Sequence, residues 1–436
     1  MVRVMKDSGI AWIGDIPEGW DTRPLKALLE ERKENNKPIK TDYILSLTID
    51  RGVIPYDEKG SGGNKSKEDL SAYKLAYPND IVLNSMNVIV GSVGLSKYFG
   101  AVSPVYYVLY PRNEDDYVEY YNNIFQAKVF QDSLIGLGNG IMVKQSASSK
   151  KINTIRMRIP MSKLNTVVLP YPPPEEQRKI ADYLDYKCVL IDSTIEKQKT
   201  VIEKLKAYKQ SVITEAVTKG LDPTVKMKPS GIEWIGNIPE GWEVRKLKNV
   251  GEAIIGLTYS PEEVADKGTL VLRSSNIQNG KIVFDDNVYV DKIIQEKLIV
   301  KKGDILICSR NGSRALVGKC AYIDEATSGH TFGAFMTVFR SVYNRFFFYV
   351  FNSAIFSFHI GTFLTSTINQ LTTSNLNGIQ IPLPPLSEQQ AIAEFLDTKC
   401  TQIDGVIESK QKLIDKLADY KKSLIYECVT GKKEVV

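Results

Sequence analysis

Basic and amide side chains are concentrated in two stretches of the chain that contain almost no acidic residues. Between Asp132 and Glu175 there is no acidic residue, but there are six lysines and arginines. Lys297–Ile323 carries six basic residues against one acidic residue, a local charge of +5. Lysine and arginine bind DNA phosphates, while arginine, asparagine and glutamine also read base edges. This pattern predicts a DNA-contacting surface in each half of the chain.

Particular residues in or near these stretches are the candidates for DNA contact. In the first half they are Asn139, Lys144, Gln145, Lys150, Arg156 and Arg158. In the second half they are Arg310, Asn311, Arg314, Asn369 and Gln370. Arg158 and Gln370 coincide when the two halves are aligned at an offset of 212 residues. For any one candidate, the alternative is an exposed residue that only aids solubility.

The sequence lacks the usual signatures of catalysis and of metal binding. It contains no G-x-x-x-x-G-K-[ST] phosphate loop, no G-x-S-x-G, H-E-x-x-H or G-x-G-x-x-G motif, and no Asn-Pro-Pro-aromatic methyltransferase motif. It has two histidines, and none of its five cysteines forms a C-x-x-C pair. We therefore expect no catalytic residue, no metal site and no cofactor in this chain. The unpaired cysteines, and an N-terminus without a long apolar segment, favour a cytoplasmic protein.

The chain is an internal repeat. Two short segments, Ser8–Trp20 and Ser230–Trp242, are identical at 11 of 13 positions. We call them the first and second box. Two later segments, Glu175–Thr218 and Ser387–Thr430, share 22 of 44 positions. The sequence between box and helical segment differs strongly between the halves, which predicts a shared scaffold that carries two different specificities. A plain structural duplication is the alternative.

The two conserved later segments predict long helices. Apolar residues recur every seven positions, which is typical of a coiled coil, and 44 residues of helix extend ~65 Å. The predicted seam residues are Leu184, Ile191, Gln198 and Leu205, and in the second copy Leu396, Ile403, Lys410 and Leu417. A run of prolines precedes each helix and predicts a stiff stop, or alternatively a ligand for another domain. The order of the repeats predicts an antiparallel helix pair and neighbouring chain termini.

The expected fold class is α+β, with two globular domains separated by two long helices in an antiparallel coiled coil. The predicted domains are 1–20 (box), 21–168 (first variable domain), 169–220 (helix), 221–242 (box), 243–380 (second variable domain) and 381–436 (helix). Strands are predicted at Tyr43–Thr48, Ile81–Asn84, Ser103–Tyr110, Thr166–Leu169, Leu270–Arg273, Ile305–Ser309 and Ala334–Arg340. One apolar helix is predicted in each domain, Tyr117–Leu134 and Arg345–Leu364. Polar residues interrupt the second, which favours a buried core helix over a membrane span.

These motifs resemble a known family. The box I-x-W-I-G-x-I-P-E-G-W, the run I-P-L-P-P-L-x-E-Q at Ile381–Gln389 with its copy at Leu169–Gln177, and the duplicated helices are similar to the specificity subunit of type I restriction–modification systems. The resemblance covers essentially the whole chain. Ser46–Thr48, Asp69–Lys74 and Val102–Pro104 resemble one recurring subtype of recognition domain, whereas the second domain lacks these strings.

The resemblance implies a sequence-specific DNA-binding subunit without catalytic activity. Each variable domain would be a target-recognition domain that reads one half of an asymmetric, bipartite site in double-stranded DNA. The helices would set the gap between the half-sites and dock methyltransferase subunits, two in number. The resemblance also implies restriction subunits as partners and places S-adenosylmethionine, ATP and Mg on those partners. Two alternatives remain: a non-catalytic coiled-coil interaction protein with two binding lobes, and a nuclease component with its own cryptic site.

Overall fold

The computed structural model describes residues 3–60, 69–138, 158–364 and 369–435. They divide into two units. Unit 1 contains the chain up to Gln198 together with the segment from Lys412 onward, and unit 2 is Lys199–Gln411. Each unit therefore combines one box, one variable segment and a part of each long helix.

The first half of the chain contains short strands, a few short helices and one long helix. The strands are β1 (Met5–Asp7), β2 (Asp15–Pro17), β3 (Asp21–Pro24), β4 (Leu29–Glu31), β5 (Leu45–Thr48), β6 (Gly52–Pro55), β7 (Lys74–Ala76), β8 (Ile81–Asn84), β9 (Val93–Leu95), β10 (Gly100–Val102), β11 (Tyr106–Pro111) and β12 (Val168–Tyr171). The helices are α1 (Leu25–Leu28), α2 (Val118–Gln126), α3 (Lys128–Ser133), α4 (Met161–Leu164) and the long α5 (Pro174–Lys219).

The second half repeats this order with additional strands. The strands are β13 (Met227–Pro229), β14 (Asn237–Pro239), β15 (Glu243–Lys246), β16 (Glu252–Ile255), β17 (Val264–Ala265), β18 (Thr269–Leu272), β19 (Ile277–Gln278), β20 (Lys281–Ile282), β21 (Tyr289–Val290), β22 (Ile305–Cys308), β23 (Cys320–Tyr322), β24 (Thr331–Phe332), β25 (Met336–Arg340) and β26 (Gln380–Leu383). The helices are α6 (Asn344–Phe351), α7 (Ala354–Phe363), α8 (Thr373–Gly378) and the long α9 (Leu386–Val429).

An antiparallel sheet of the same order forms the centre of each unit. In the described part of unit 1 the order is β4-β11-β8-β9, and in that of unit 2 it is β16-β25-β22-β23. Successive side chains of a strand point to opposite faces. Accordingly, Ile305 and Ile307 of β22 pack into one core, while Leu306 and Cys308 pack into another. Because both faces of the sheet are buried, the first three residues of β8 and all four of β22 are apolar rather than alternating with polar residues.

The two long helices confirm the predicted antiparallel coiled coil. In unit 1 the beginning of α5 shares a core with the end of α9, and in unit 2 the end of α5 shares a core with the beginning of α9. The seam residues Leu184, Ile191, Leu396 and Ile403 are buried. The other predicted seam residues are partly buried: Gln198, Leu205, Lys410 and Leu417.

One ion pair between the helices occurs in each unit at matching positions. Asp192 of α5 binds Lys421 of α9 in unit 1, with 2.6 Å between Oδ2 and Nζ. In unit 2, Lys209 of α5 binds Asp404 of α9, again at 2.6 Å. Each residue lies 212 positions from its counterpart in the other pair. The two pairs are therefore the same contact, with the aspartate on α5 in unit 1 and on α9 in unit 2.

The first box packs against the end of α9, as the repeat order predicted. Tyr426 Oη donates a hydrogen bond to the Ile13 carbonyl at 3.2 Å, and Lys432 Nζ donates one to the Asp15 carbonyl at 2.9 Å. In the second box, the indole N–H of Trp242 donates to Glu388 of α9 at 2.9 Å. The equivalent Trp20 donates to Glu176 of α5. Both chain ends therefore belong to unit 1.

The predicted apolar helices are each broken in two, which corrects the sequence-based expectation. Arg345–Leu364 forms α6 and α7, which meet at 63°. The break has a local cause: Ser353 is the N-cap of α7, and its hydroxyl accepts the Phe356 N–H, while the Asn352 amide bonds to the Cys320 sulfur at 3.2 Å. Similarly, extended backbone at Ala127 separates α2 from α3.

No single helix in the described ranges is long and apolar enough to cross a membrane, although α6 and α7 together pass this test of length and composition. Much of this bent pair is buried in the core of unit 2. Its buried side chains include Phe346, Phe347, Tyr349, Val350, Phe351, Phe356 and Ile360. The predicted buried core segment is therefore present in a kinked form.

Candidate nucleic-acid interface

A buried carboxylate stands immediately before the same strand in both units. Asp80 precedes β8 and Asp304 precedes β22, and both are almost fully buried. Asp304 forms a two-pronged ion pair with Arg340, at 2.9 Å to Nε and 2.6 Å to Nη2. Asp80 forms the same pair with Arg32, at 2.7 and 2.9 Å. Hydrogen bonding to the carboxylate raises the pKa of each arginine, so both remain charged.

In unit 2 the chain after β22 is fixed on both sides by backbone hydrogen bonds. The N–H groups of Ser309 and Arg310 donate to the Phe335 carbonyl at 2.9 and 3.0 Å. On the other side, the Leu371 N–H donates to the Ser309 carbonyl at 2.7 Å, and Arg310 forms an antiparallel bridge with Gln370. Three separate segments thus converge at one end of the sheet and bring Arg310 and Gln370 together.

The two asparagines predicted in the second half, Asn311 and Asn369, bind neighbouring loops. Asn311 Nδ2 donates to the Ser274 hydroxyl at 3.2 Å, and its Oδ1 accepts the Ser313 N–H at 2.9 Å. Asn369 Nδ2 donates to the Gly312 carbonyl at 3.1 Å. Arg314 is also engaged, because its Nη2 donates to the Gly361 carbonyl at 2.9 Å. These side chains build the loop around Arg310.

Arg310 itself is exposed and stacks on an aromatic ring. Its Cζ lies 5.1 Å from the centroid of the Phe335 ring, and Phe335 is 58% exposed. Within the described ranges, its guanidinium has neither a carboxylate partner nor a hydrogen-bond acceptor. A planar cation held against a ring, with its N–H groups free, is suited to hydrogen-bond a ligand in one plane.

Arg310, Asn311 and Asn369 line a cleft of about 1070 Å³ in unit 2. The cleft also has polar and aromatic lining residues that sequence reasoning missed, namely Tyr259, Arg273, Ser274, Ser275, Asp286 and Phe335. Arg273 and Asp286 form an ion pair at 2.9 Å. Three of the five residues predicted in this half therefore line the cleft. Gln370 does not line it but is paired with Arg310, which does, and Arg314 lies outside the lining.

Unit 1 has the same framework at the end of β8 but different side chains. The Ile159 N–H donates to the Ser85 carbonyl at 2.9 Å, as Leu371 does to Ser309. Arg158, which is exposed, therefore matches Gln370, as the alignment predicted. When Ser85 is matched with Ser309, Met86 takes the place of Arg310. When β11 is matched with β25 by its pairing to the preceding strand, Val105 takes the place of Phe335. The remaining candidates lie outside the described residues: Asn139, Lys144, Gln145, Lys150 and Arg156.

Residues 17–207 and 239–418 match the family model of the type I restriction modification DNA specificity domain. The chain belongs to this family. The two matches correspond to the two halves of the repeat, and each includes a box tryptophan, a four-stranded sheet and most of one long helix.

Relatives of known name agree with this assignment. The chain is 33% identical to the MjaVIII specificity subunit of Methanocaldococcus jannaschii over 277 residues, which cover 62% of this chain and 63% of that protein. It is 28% identical to the MjaX specificity subunit of the same organism, covering 97% and 96% of the two chains. With the EcoKI specificity subunit of Escherichia coli it shares 31% identity over 45% of this chain and 44% of that one.

Solved structures show the same fold. One match is a chain from a solved structure that concerns complex assembly and conformational transition of the type I R-M system. Its TM-score is 0.71 at 14% identity, over 96% of this chain and 99% of that one. The HsdS subunit from Thermoanaerobacter tengcongensis matches with a TM-score of 0.54, at 15% identity, over 96% and 98%.

This type I specificity chain offers few groups for chemistry in its described part. Among the described residues, no cluster of three or more His, Cys, Asp and Glu side chains is placed to hold a metal ion. Burial raises the pKa of the Cys320 and Cys428 thiols to about 12, so neither is a thiolate nucleophile at neutral pH. The distinctive polar feature of unit 2 is the cleft, which is lined by hydrogen-bonding side chains.

Proposed function

We propose that this chain is the sequence-reading subunit of a type I restriction–modification complex and that each unit reads one half of an asymmetric, bipartite DNA site. One observation carries the proposal. The two units share a sheet, a buried Asp–Arg pair and a serine at the end of β8 or β22, yet they present different side chains immediately beyond it. Unit 2 presents Arg310 and Gln370, whereas unit 1 presents Met86 and Arg158. A common framework with different accessible side chains beyond it is the arrangement expected of two readers with different targets.

The partners would be methyltransferase subunits, two per chain, together with restriction subunits. Matching exposed apolar residues on the long helices support two copies of one partner. Val201 and Leu413 are 212 residues apart and are 36% and 40% exposed, and Tyr208 and Tyr420 are 50% and 51% exposed. Apolar side chains that stay exposed in a regular pattern are typical of an interaction surface. The same surface of two partner molecules would therefore bind at the two matching positions on the long helices.

Chemistry would reside in these partners, and this chain would supply recognition in the cytoplasm. S-adenosylmethionine would be bound by the methyltransferase subunits, and ATP and Mg by the restriction subunits. An adenine must leave the base stack to be methylated, so the partners rather than this chain would hold the flipped base. The helices α5 and α9 would set the gap between the two half-sites. Lengthening both by whole turns would then change the gap and leave the half-sites unaltered.

The test is to co-express the chain with a methyltransferase subunit from the same genome in an unmethylated host and to map modified adenines by single-molecule sequencing. We expect one bipartite, asymmetric motif that depends on this chain. Gln370→Ala should relax one half-site, and Arg158→Ala should relax the other. Gln295→Ala, an exposed glutamine outside the cleft, is the matched control and should leave the motif unchanged.

Four outcomes would argue against the proposal. No motif, although the two proteins are folded and co-purify, would mean that the units do not direct methylation. Equal relaxation of both half-sites by Gln370→Ala would argue against separate readers. DNA affinity that does not fall with salt would favour the alternative of a non-DNA interaction protein, since phosphate contacts make DNA binding strongly salt-dependent. DNA cleavage by the purified chain alone would favour a cryptic nuclease.

A further inference from the structure

We infer that Arg310 recognises a guanine in the half-site read by unit 2 and that Phe335 positions its guanidinium for this contact. The inference rests on the proposed function and adds the identity of a base and of its reader. Asn311 and Asn369 act as positioning residues, because their amides hold the loop rather than facing a ligand freely.

The backbone of Arg310 is held more firmly than that of an ordinary surface loop. Its N–H bonds to the Phe335 carbonyl, and it bridges Gln370 on the opposite side. Asn311 N–H and the Asn369 carbonyl extend this pairing by one residue. Discrimination between bases requires a side chain that starts from a fixed position, because small displacements lose the hydrogen-bond geometry. Arg310 meets this requirement.

The other cations in and around the cleft already have partners. Arg273 is paired with Asp286, Arg314 donates to the Gly361 carbonyl, and Lys319 donates to the Ile277 carbonyl at 3.1 Å. Within the part of the chain that the structure describes, the Arg310 guanidinium bonds to none of its neighbours and is stacked only on Phe335. It is therefore the cation whose donors stay available to an incoming ligand.

The stacking favours a base over a phosphate as that ligand. A phosphate can also accept two parallel guanidinium donors, but its oxygens can be approached from several directions, and a flexible lysine binds it as a point charge. The guanine edge presents two acceptors, O6 and N7, which lie in one plane and match two parallel donors of a guanidinium. The exposed Phe335 ring limits the positions open to the guanidinium before DNA arrives. Such preorganisation matters more for a base edge, whose two acceptors lie in one plane, than for a phosphate, whose oxygens can be approached from several directions.

Unit 1 has no equivalent reader at this position. Met86 follows Ser85 where Arg310 follows Ser309, and a thioether has no donor to offer a guanine. Val105, in place of Phe335, has no ring on which a guanidinium could stack. The guanine contact should therefore belong to one half-site only.

The test compares Arg310→Lys, Arg310→Gln and Phe335→Leu with the wild-type chain, in complex with the methyltransferase subunit. The readouts are the methylation motif and the dissociation constants for duplexes in which each base pair is exchanged in turn. Arg245→Lys is the matched control, because Arg245 is an exposed arginine of unit 2 outside the cleft. Thermal unfolding of each variant checks that it is folded.

We expect Arg310→Lys, which retains the charge, to lose discrimination at one G·C pair by roughly 5- to 150-fold, the range for one bidentate contact. Arg310→Gln should lose it as well. Phe335→Leu should lose a smaller part at the same pair, and all other positions should be unchanged. Arg245→Lys should behave as the wild type.

Three results would overturn the inference. They are a unit 2 half-site without a G·C pair, unaltered discrimination in Arg310→Lys, and a uniform loss of affinity at all positions in Arg310→Gln, with a shallower salt dependence that identifies a phosphate contact. Failure of the underlying proposal would look different, because the wild-type chain would then direct no methylation motif at all. If Arg310→Gln does not fold, Phe335→Leu and Arg310→Lys decide the question.

Discussion

The central sheets of units 1 and 2 contain the same buried ion pair built in two different ways. Asp80 and Asp304 occupy the same place, before β8 and β22. The arginine of unit 1, Arg32, follows β4 at the sheet edge, whereas Arg340 of unit 2 is the last residue of β25, the strand between β16 and β22. The position of Arg340 is taken in unit 1 by Tyr110, whose ring lies 4.6 Å from the Arg32 guanidinium. The interaction has thus been kept while the residue that supplies it has changed.

The end of the same sheet shows the opposite behaviour. At the matching positions of unit 1, Met86 and Val105 take the places of Arg310 and Phe335. A carboxylate buried without a partner destabilises the fold by several kcal/mol, so any variant of the sheet must provide a cation for it. An exposed side chain beyond the strand carries no such penalty. The comparison therefore separates residues that the fold requires from residues that are free to differ, and the second group is where we propose that specificity resides.

The box tryptophans should give the largest effect, and an equal one in both units. Trp20 and Trp242 are 2% and 1% exposed, and each donates to a glutamate of a long helix. Replacing either with alanine should lower the free energy of unfolding of its own unit by about 3–5 kcal/mol. Urea unfolding followed by hydrogen-exchange mass spectrometry would measure each unit separately. A tolerated Trp242→Ala would show that the boxes do not have equal structural roles.

The Asp–Arg pairs offer the sharpest test of the comparison. Arg32→Ile should destabilise unit 1 by about 3 kcal/mol, because Asp80 is left buried without its cation. Adding Tyr110→Arg, which moves the cation to the strand used in unit 2, should restore about half of this loss. Tyr110→Arg alone is the control and should add no stability. An absence of rescue in the double variant would show that the two arrangements are not interchangeable.

Acidification should weaken unit 2 more than unit 1. The two histidines of the chain, His330 and His359, are both in unit 2, and burial lowers the pKa of each. The unfolded chain then binds protons that the folded unit does not, so stability is lost as the pH falls below about 6.5. The loss should be smaller than that from Arg32→Ile, since both imidazoles are only partly buried. Urea titrations at pH 7.5 and 5.5 would measure it.

His359→Phe separates this histidine from the carboxylates that also titrate on acidification. The imidazole of His359 lies edge-on to Trp234 of the second box, with 3.9 Å between ring centroids, and a phenyl ring keeps that packing. The variant should reduce the difference in pH sensitivity between the units. An unchanged difference would place the sensitivity elsewhere.

The interhelical ion pairs should give the smallest effect. Lys209 and Lys421 are 27% and 29% exposed, and their aspartates are 54% and 56% exposed. Each lysine to alanine should therefore lower stability by only about 0.2–1 kcal/mol, equally in the two units, and less at high salt. Thermal unfolding at low and high ionic strength would test this. Clearly unequal losses of stability for the two substitutions would mean that the two ion pairs differ in environment more than the similar sequences around them suggest.

Regular patterns in the sequence predicted the scaffold well. The heptads gave helices at Glu175–Thr218 and Ser387–Thr430, and the structure has Pro174–Lys219 and Leu386–Val429. The apolar run Ile81–Asn84 was predicted at its observed bounds, whereas Ala334–Arg340 begins two residues later, at Met336. Such elements depend on residues close together in sequence, and for that reason their patterns are readable.

Contacts between distant segments were not predictable in this way. The break between α6 and α7 is accompanied by a bond from Asn352 to Cys320, 32 residues away. At the candidate site, residue type identified Arg310. Phe335 was missed because it lies inside the predicted strand Ala334–Arg340, where an aromatic residue is more often part of the core. Arg273 was missed because it reaches the cleft from another part of the chain. The neighbours of each of these residues are set only when the fold brings distant segments of the chain together.

The division of the chain between the units has a consequence for its synthesis. Unit 2 is one continuous segment, whereas unit 1 consists of two segments. The second segment of unit 1 includes the end of α9, and the 213 residues of Lys199–Gln411 separate it from the first. At about 5–20 residues per second on the ribosome, that interval lasts about 10 to 40 s. During this time the first box and the start of α5 lack the apolar surface that covers them in the finished protein. The half of the protein that is translated first is therefore the last to be completed, and it is the half that would depend on chaperones.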